Sequence, residues 1–90
     1  MLKVKVTPMV SNSGRDVANQ FVVNTPEGAY FQSFRSMIAF KSHDGQVFLD
    51  PTYWDYSPTT GKYRNQFLGE PIADTRKKIE SGEYAFMDLN

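Results

Sequence analysis

Few side chains in this sequence are placed for catalysis. The only histidine, His43, lies between Ser42 and Asp44 in a string that ends in glycine. This order matches a hydrolytic triad in letters alone, because triad members meet in space and need an oriented nucleophile. We interpret it as a turn. The remaining carboxylates lack the paired spacing of a metal site or an acid–base couple. The sequence therefore predicts no catalytic residue, no metal site and no cofactor, and an enzyme is the least favoured class.

Composition narrows the class of protein further. The 90 residues include 40% hydrophobic and 14% aromatic side chains, enough for one domain that spans residues 1–90. Ten basic residues balance ten acidic ones, so no global field attracts nucleic acid or an anionic membrane. The absence of cysteine excludes disulfides and thiolate zinc sites, and it fits a reducing cytoplasm. No stretch has the pattern of a signal peptide or of a membrane span.

The aromatic residues are the stronger indication of function. Trp54 and Phe67 are predicted to fill the core where helix meets sheet, but a thin sheet and two short helices cannot bury every aromatic ring. Tyrosine and tryptophan beside arginine are typical of the residues that dominate protein interfaces. The sequence therefore predicts a protein-binding surface with five residues: Tyr30, Phe34, Tyr53, Tyr56 and Arg64.

A single basic run offers an alternative. Arg76, Lys77 and Lys78 are consecutive, and together with exposed aromatic rings they could serve single-stranded nucleic acid, on whose bases such rings stack. The neutral overall charge disfavours this interpretation. A solvated helix face is the simpler account of the basic run.

Strand-like alternation dominates the first half of the chain. Leu2, Val4 and Val6 alternate with polar residues, which predicts a half-buried strand. Pro8 indicates that this strand lies at an edge or ends there. A second strand is predicted over 19–24.

The phase of the alternation changes in the middle of the chain. After a Thr-Pro-Glu-Gly turn, which predicts an antiparallel hairpin, the stretch 29–41 stays extended. Its second part, however, carries its apolar residues Ile38 and Phe40 on the other parity. A bulge or bend near 34–36 would reconcile the two parts, since one extra residue inverts every later side chain. A strand over 46–50 completes a second hairpin.

Helical signals begin after the last of these strands. Ser57 is a suitable N-cap with Pro58 at the first helical position, although Thr59 is a competing cap. Gly69 stands where a left-handed residue ends a helix. The pattern predicts a helix over 58–68.

A second helix is predicted from about Pro71 to Gly82. The closing residues 84–90 form either a last short strand or a packed tail. Asp50 and Asp55 are interpreted as turn-forming residues. The predicted fold is α+β, an antiparallel sheet of about four strands from the N-terminal half packed by two short C-terminal helices.

Several short strings resemble a family of small uncharacterised proteins encoded by bacteriophages and prophages. The strings are Val17-Ala18-Asn19-Gln20-Phe21, Phe31-Gln32-Ser33-Phe34, Trp54-Asp55-Tyr56-Ser57, Lys62-Tyr63 and Phe67-Leu68-Gly69. The resemblance implies a setting, the cytoplasm of an infected bacterium, and no activity or functional residues. Small phage proteins of neutral charge often act by occupying a host protein, and inhibitors of CRISPR or other defence systems are one such class.

Two hypotheses follow in order. The first is a phage-type accessory protein that binds a host protein stoichiometrically, as an inhibitor of a bacterial defence system. The second is a single-stranded nucleic-acid module that uses an aromatic sheet face. Self-association is compatible with both, and no membrane partner is expected.

Overall fold

A six-stranded sheet in the strand order β1-β2-β3-β4-β5-β6 is the framework of the molecule. The computed structural model describes residues 3–90. Its elements are β1 (Lys5–Val10), β2 (Asp16–Thr25), β3 (Gly28–Ser33), β4 (Ser36–Ser42), β5 (Val47–Leu49), α1 (Pro58–Leu68), α2 (Ile72–Ser81) and β6 (Tyr84–Phe86). Strands β1 to β5 are successively antiparallel, whereas β6 lies parallel to β5. The α+β class is confirmed, but the sheet is mixed and has six strands, not four.

One additional strand comes from a hairpin that the sequence pattern concealed. The stretch 29–41 was expected to be continuous, yet it reverses at Phe34 and Arg35, between β3 and β4. The register then shifts by one residue, because Phe31 pairs with Ala39 while its neighbour Gln32 pairs with Met37. Ile38 is therefore the extra residue of a β-bulge. The predicted bulge exists, but it lies at Ile38. At residues 34–36, where a bulge or bend was expected, the chain instead reverses direction between β3 and β4.

That bulge also corrects the assignment of side chains in β4. Ile38 and Ala39 are both fully buried in the main hydrophobic core, whereas Phe40 lies outside that core. The expectation that Ile38 and Phe40 share one face is therefore wrong.

Strand β1 extends beyond the proline that was expected to limit it. It runs from Lys5 to Val10, with Pro8 paired to Phe21. Because β1 is an edge strand, as predicted, the N–H that proline lacks removes no bond to a further strand. The predicted start at Leu2 lies outside the described residues.

Both helices begin and end where local signals placed them. The Ser57 hydroxyl accepts a hydrogen bond from the Thr60 N–H at 3.1 Å, so Ser57 caps α1 and the competing Thr59 does not. Gly69 ends α1 with a φ of 71°, and Gly82 ends α2 with a φ of 82°.

Both helices pack on one side of the sheet, which we call the covered face. Phe67 of α1 stacks on Phe31 of β3 with ring centroids 5.8 Å apart. The Ser33 and Thr60 hydroxyls are hydrogen-bonded at 2.9 Å, and the Lys41 ammonium donates to the Phe67 carbonyl at 2.8 Å. These contacts attach α1 to the middle strands, while α2 contacts β6.

The opposite side, which we call the open face, carries a second apolar surface. Strand pairing aligns Val6, Val23, Tyr30, Phe40 and Phe48 in one row across β1 to β5. Opposed residues of an antiparallel pair point to the same side of a sheet, so this row shares one face. Tyr30 therefore lies on the open face, whereas its neighbour Phe31 lies on the covered face.

The chain closes with a short strand followed by a packed tail. Strand β6 pairs with β5, and the Asn90 side chain then hydrogen-bonds the backbone of Met37, accepting from its N–H at 2.7 Å and donating to its carbonyl at 2.9 Å. Both alternatives considered for residues 84–90 are present in succession.

Candidate protein-binding site

A groove opens at the end of the sheet where the β3–β4 hairpin approaches the loop before α1. It encloses about 440 Å³ and is lined by Asn19, Phe34, Arg35, Ser36 and Tyr56. The two rings are well exposed, with 48% of the surface of Phe34 and 52% of that of Tyr56 accessible. We call this feature the aromatic groove. It brings together two aromatic residues that are 22 positions apart in the sequence.

Unusual backbone geometry accompanies the groove. Within residues 3–90 the non-glycine residues with positive φ are Asn19, at 64°, and Phe34, at 55°. Their backbones are joined by a hydrogen bond from the Phe34 N–H to the Asn19 carbonyl at 2.7 Å. Asparagine adopts this region readily, whereas a bulky residue such as phenylalanine rarely does. Such a conformation costs roughly 1–3 kcal/mol and persists where the surrounding structure imposes it.

The loop that carries Tyr56, on the side of the groove opposite Phe34, is held by a buried carboxylate. Asp50, 2% exposed, accepts hydrogen bonds from the Thr52 and Tyr53 N–H groups, both at 3.0 Å, and from the Leu89 N–H at 2.9 Å. Tyr53 in turn packs edge-on against Tyr56 with ring centroids 5.6 Å apart. The predicted turn-forming role of Asp50 is confirmed, and the turn positions Tyr56.

This carboxylate is held in its charged form. Burial raises the pKa of Asp50, but hydrogen bonds from the Leu89 backbone, the Asn90 side chain and the Tyr53 and Thr52 backbones lower it by more. The pKa therefore lies below the ordinary value of 3.8. These hydrogen bonds favour the charged form, so ionisation of Asp50 strengthens its contacts with the loop.

Arg64 does not lie at the surface where it was expected. It is 1% exposed, and its Nη1 donates to the Trp54 carbonyl at 2.8 Å and to Asp55 Oδ1 at 3.0 Å. The guanidinium lies 5.3 Å from the centre of the half-buried Trp54 ring. Arg64 thus joins α1 to the preceding loop and is not available to a partner. Its inward position follows the helical spacing that it shares with buried Thr60 and Phe67.

The basic run is divided by its ion pairs. Arg76 pairs with Asp55 at 3.0 Å. Lys78 pairs with Glu70 at 2.7 Å, and this hydrogen bond raises the pKa of Lys78 above its usual range. Lys77 is exposed and takes part in no ion pair found within residues 3–90. The run is therefore not a continuous unpaired positive patch.

Of the five residues proposed for an interface, the structure brings three together. Phe34 and Tyr56 line the aromatic groove and Tyr53 supports it. Tyr30 lies on the open face against Phe40, with ring centroids 4.4 Å apart, and Arg64 is internal.

Three groove residues escaped the sequence analysis: Asn19, Arg35 and Ser36. For Arg35 and Ser36 a signal existed, because the change of phase near 34–36 marks the hairpin. Asn19 gave no comparable signal, because it stood in a strand predicted over 19–24, where ordinary extended backbone was expected.

The groove is equipped for recognition. Its lining residues supply two aromatic rings, one guanidinium, one amide and hydroxyl groups. Within residues 3–90, no group of three or more His, Cys, Asp or Glu residues is arranged to hold a metal ion. No helix in the same part of the chain combines the length and apolar content needed to cross a membrane.

Fold and site define a small α+β domain with an exposed aromatic groove. The chain belongs to the family of unknown function DUF8033, whose model matches residues 4–85 and so runs from the start of β1 into β6. No curated protein and no solved structure gives a significant match. The family description names no source organism, so the phage setting remains a hypothesis.

Proposed function

We propose that this protein acts without catalysis, by stoichiometric binding of another protein through the aromatic groove. The observation that carries the proposal is Phe34, whose ring is held out in solvent by a backbone with a φ of 55°. A hairpin selected only for stability would place asparagine or glycine at such a position. Strained residues concentrate at binding and catalytic sites, where surrounding structure maintains them.

The wall opposite Phe34 favours the same function. Tyr56 is supported from behind by Tyr53, and Tyr53 is fixed by its backbone hydrogen bond to Asp50. A ring that is already positioned loses little conformational entropy on binding. With Arg35 at the rim, the groove combines the residue types that carry most of the energy in protein interfaces.

The biological setting of the protein is inferred less directly than its binding surface. The short strings shared with phage and prophage proteins motivate a partner from the bacterial host, met in the host cytoplasm. Inhibition of a defence system such as CRISPR is the narrowest form of this hypothesis. The general form of the hypothesis requires only a host protein that inserts an apolar side chain between Phe34 and Tyr56.

An affinity capture experiment tests the proposal. Immobilised wild-type protein should retain a host protein from bacterial lysate, and Phe34→Asn and Tyr56→Ala should each weaken that binding at least about tenfold. The matched control is Phe86→Ala, since Phe86 is 49% exposed but lies outside the groove. Loss of capture with Phe86→Ala but not with the groove variants would contradict the proposal.

One observation favours a second candidate, single-stranded nucleic acid on the open face. Tyr30, Phe40 and Phe48 on three adjacent strands form a continuous aromatic surface, and such surfaces stack bases. Against it, Lys41 of the same strand points to the covered face and donates to Phe67. Labelled single-stranded DNA and RNA should be titrated at low and physiological salt. Tight binding at physiological salt that Phe48→Ala abolishes would favour this candidate over the first.

A further inference from the structure

The open face is an apolar layer without a covering layer. Its central row contains Tyr30, Phe40 and Phe48, whose neighbouring ring centroids are 4.4 Å and 6.4 Å apart. Phe40 is only 9% exposed and Val23 only 8%, yet neither belongs to the core between helices and sheet. Neighbouring side chains on the same face therefore provide their burial. A sheet with one apolar face left uncovered has the form of one half of a β-sandwich.

No charged residue occupies a regularly paired position on this face; the one paired carboxylate near it, Asp16, lies beyond the register shift of β1. The residues that register places on it are Val6, Pro8, Phe21, Val23, Thr25, Gly28, Tyr30, Gln32, Met37, Phe40, Ser42 and Phe48. By contrast, the covered side includes Lys5 and Lys41 among its paired strand positions. A charged partner would find no complementary group on the open face.

We propose that the open face binds a second copy of this chain, face to face, around a two-fold axis. Two identical faces without charge meet without like-charge repulsion, and the whole chain has a formal net charge of zero. Aligned sheets pack about 10 Å apart with their strands rotated by roughly 30°, which brings the two aromatic rows together. The aromatic row shares no residue with the lining of the aromatic groove, although Gln32 of the same face donates to the Phe34 carbonyl at 2.7 Å.

The breadth of the chain limits the area that such a dimer buries. The chain measures 34 × 33 × 20 Å, and the short dimension corresponds to one sheet layer and one helix layer. The two long dimensions limit the footprint of this face to roughly 900 Å², and a standard stable interface buries about 800 Å² per partner. The breadth of the molecule therefore allows a dimer interface of standard size.

Sedimentation equilibrium of the whole chain tests this proposal, from about 1 μM to about 1 mM protein. The mass should rise with concentration from 10.3 kDa toward twice that value. Phe48→Lys should weaken association at least about thirtyfold, as expected for a buried anchor residue. Thr59→Lys is the matched control, because it adds the same charge at an exposed position of α1. It should associate like the wild type.

A second variant guards against loss of folding. If Phe48→Lys does not fold, Val6→Lys adds a charge at a position of the same row that is 55% exposed. Amide chemical shifts that change with concentration should map to Tyr30, Phe40 and Phe48. A wild type that stays monomeric throughout, or a dimer whose shifts map only to the β1 edge, would overturn the proposal. Neither result depends on the groove, so the proposed function would be unaffected.

Discussion

The two faces of the sheet use similar aromatic residues for different purposes. On the covered face, Phe31 is completely buried because Phe67 stacks on it from α1. On the open face, Phe40 reaches nearly the same burial through Tyr30 and Phe48 beside it. Burial by a second layer removes a ring from water on both sides, whereas lateral burial leaves an apolar surface available to a partner. Burial fractions alone therefore do not distinguish a core residue from an interface residue.

The covered face and the aromatic groove also differ in their polar contacts and backbone geometry. The covered face is crossed by specific bonds, such as the Ser33–Thr60 pair and the Lys41 bond to the Phe67 carbonyl. The aromatic groove instead holds Phe34 in a backbone conformation that costs free energy. Stability is concentrated between helices and sheet, and the features suited to recognition lie away from that contact.

The largest expected effect contrasts one phenylalanine from each face. Phe67→Ala should lower the free energy of unfolding by about 3–5 kcal/mol, because it opens a cavity against Phe31. Phe48→Ala should cost about 1 kcal/mol in dilute protein, because its ring is only half-buried. Urea denaturation at low protein concentration gives both values. Equal losses would mean that the open face belongs to the core of the monomer.

Asp50 is expected to have the next largest effect, because it joins the loop between β5 and α1 to the C-terminal tail. Asp50→Ala leaves the Thr52, Tyr53 and Leu89 N–H groups without their acceptor and should cost about 2–3 kcal/mol.

The same carboxylate predicts a pH dependence. Its pKa is lower in the folded state, so its contribution is fully present above the ordinary value of 3.8 and is lost as pH falls through the folded pKa. Thermal unfolding as a function of pH should show a decline below about pH 4 that is smaller in Asp50→Asn. An identical acid profile in the variant would show that other carboxylates cause the decline.

Phe34→Asn should separate stability from binding. Asparagine tolerates a φ of 55° better than phenylalanine, so the variant should be more stable by about 1 kcal/mol while losing the capture of a partner. Calorimetry and the capture assay measure the two effects. A destabilised variant would indicate that the Phe34 ring contributes more by packing than its backbone costs.

The smallest effect is expected at an exposed ion pair. Arg76 and Arg64 bind the two oxygens of the same Asp55 carboxylate, but the Arg76 side chain is 57% exposed. Arg76→Ala should change the free energy of unfolding by less than about 0.5 kcal/mol, because solvent screens an exposed pair. Chemical denaturation with and without 1 M salt tests this. The Arg76 guanidinium also lies 5.6 Å from the centre of the Trp54 ring. A loss above about 1 kcal/mol would show that this contact stabilises the loop between β5 and α1.

Elements with local signals could be predicted from the sequence. Ser57 and Pro58 start α1, and Gly69 and Gly82 end the two helices, because caps and left-handed glycines act within a few residues of themselves. Three of the residues named for an interface, Phe34, Tyr53 and Tyr56, lie at the groove, whereas Arg64 is internal and not at the surface. The spacing of a short helix defines a stripe, and only packing selects which stripe faces inward.

Alternation, helix caps and turn residues by themselves determined the α+β class, the order of most elements, and the chemistry of a neutral, aromatic-rich chain. These properties depend on contacts between near neighbours in sequence. Tertiary structure decided the parallel pairing of β6 with β5, the bulge at Ile38 and the hydrogen bonds between Asn90 and Met37. Each of these features joins segments that are distant in sequence or adjusts one strand to another. Their free energy comes from contacts that no local sequence pattern describes. The position of Phe34 and Tyr56 in one groove belongs to the same class, because the two residues lie in loops that are distant in sequence.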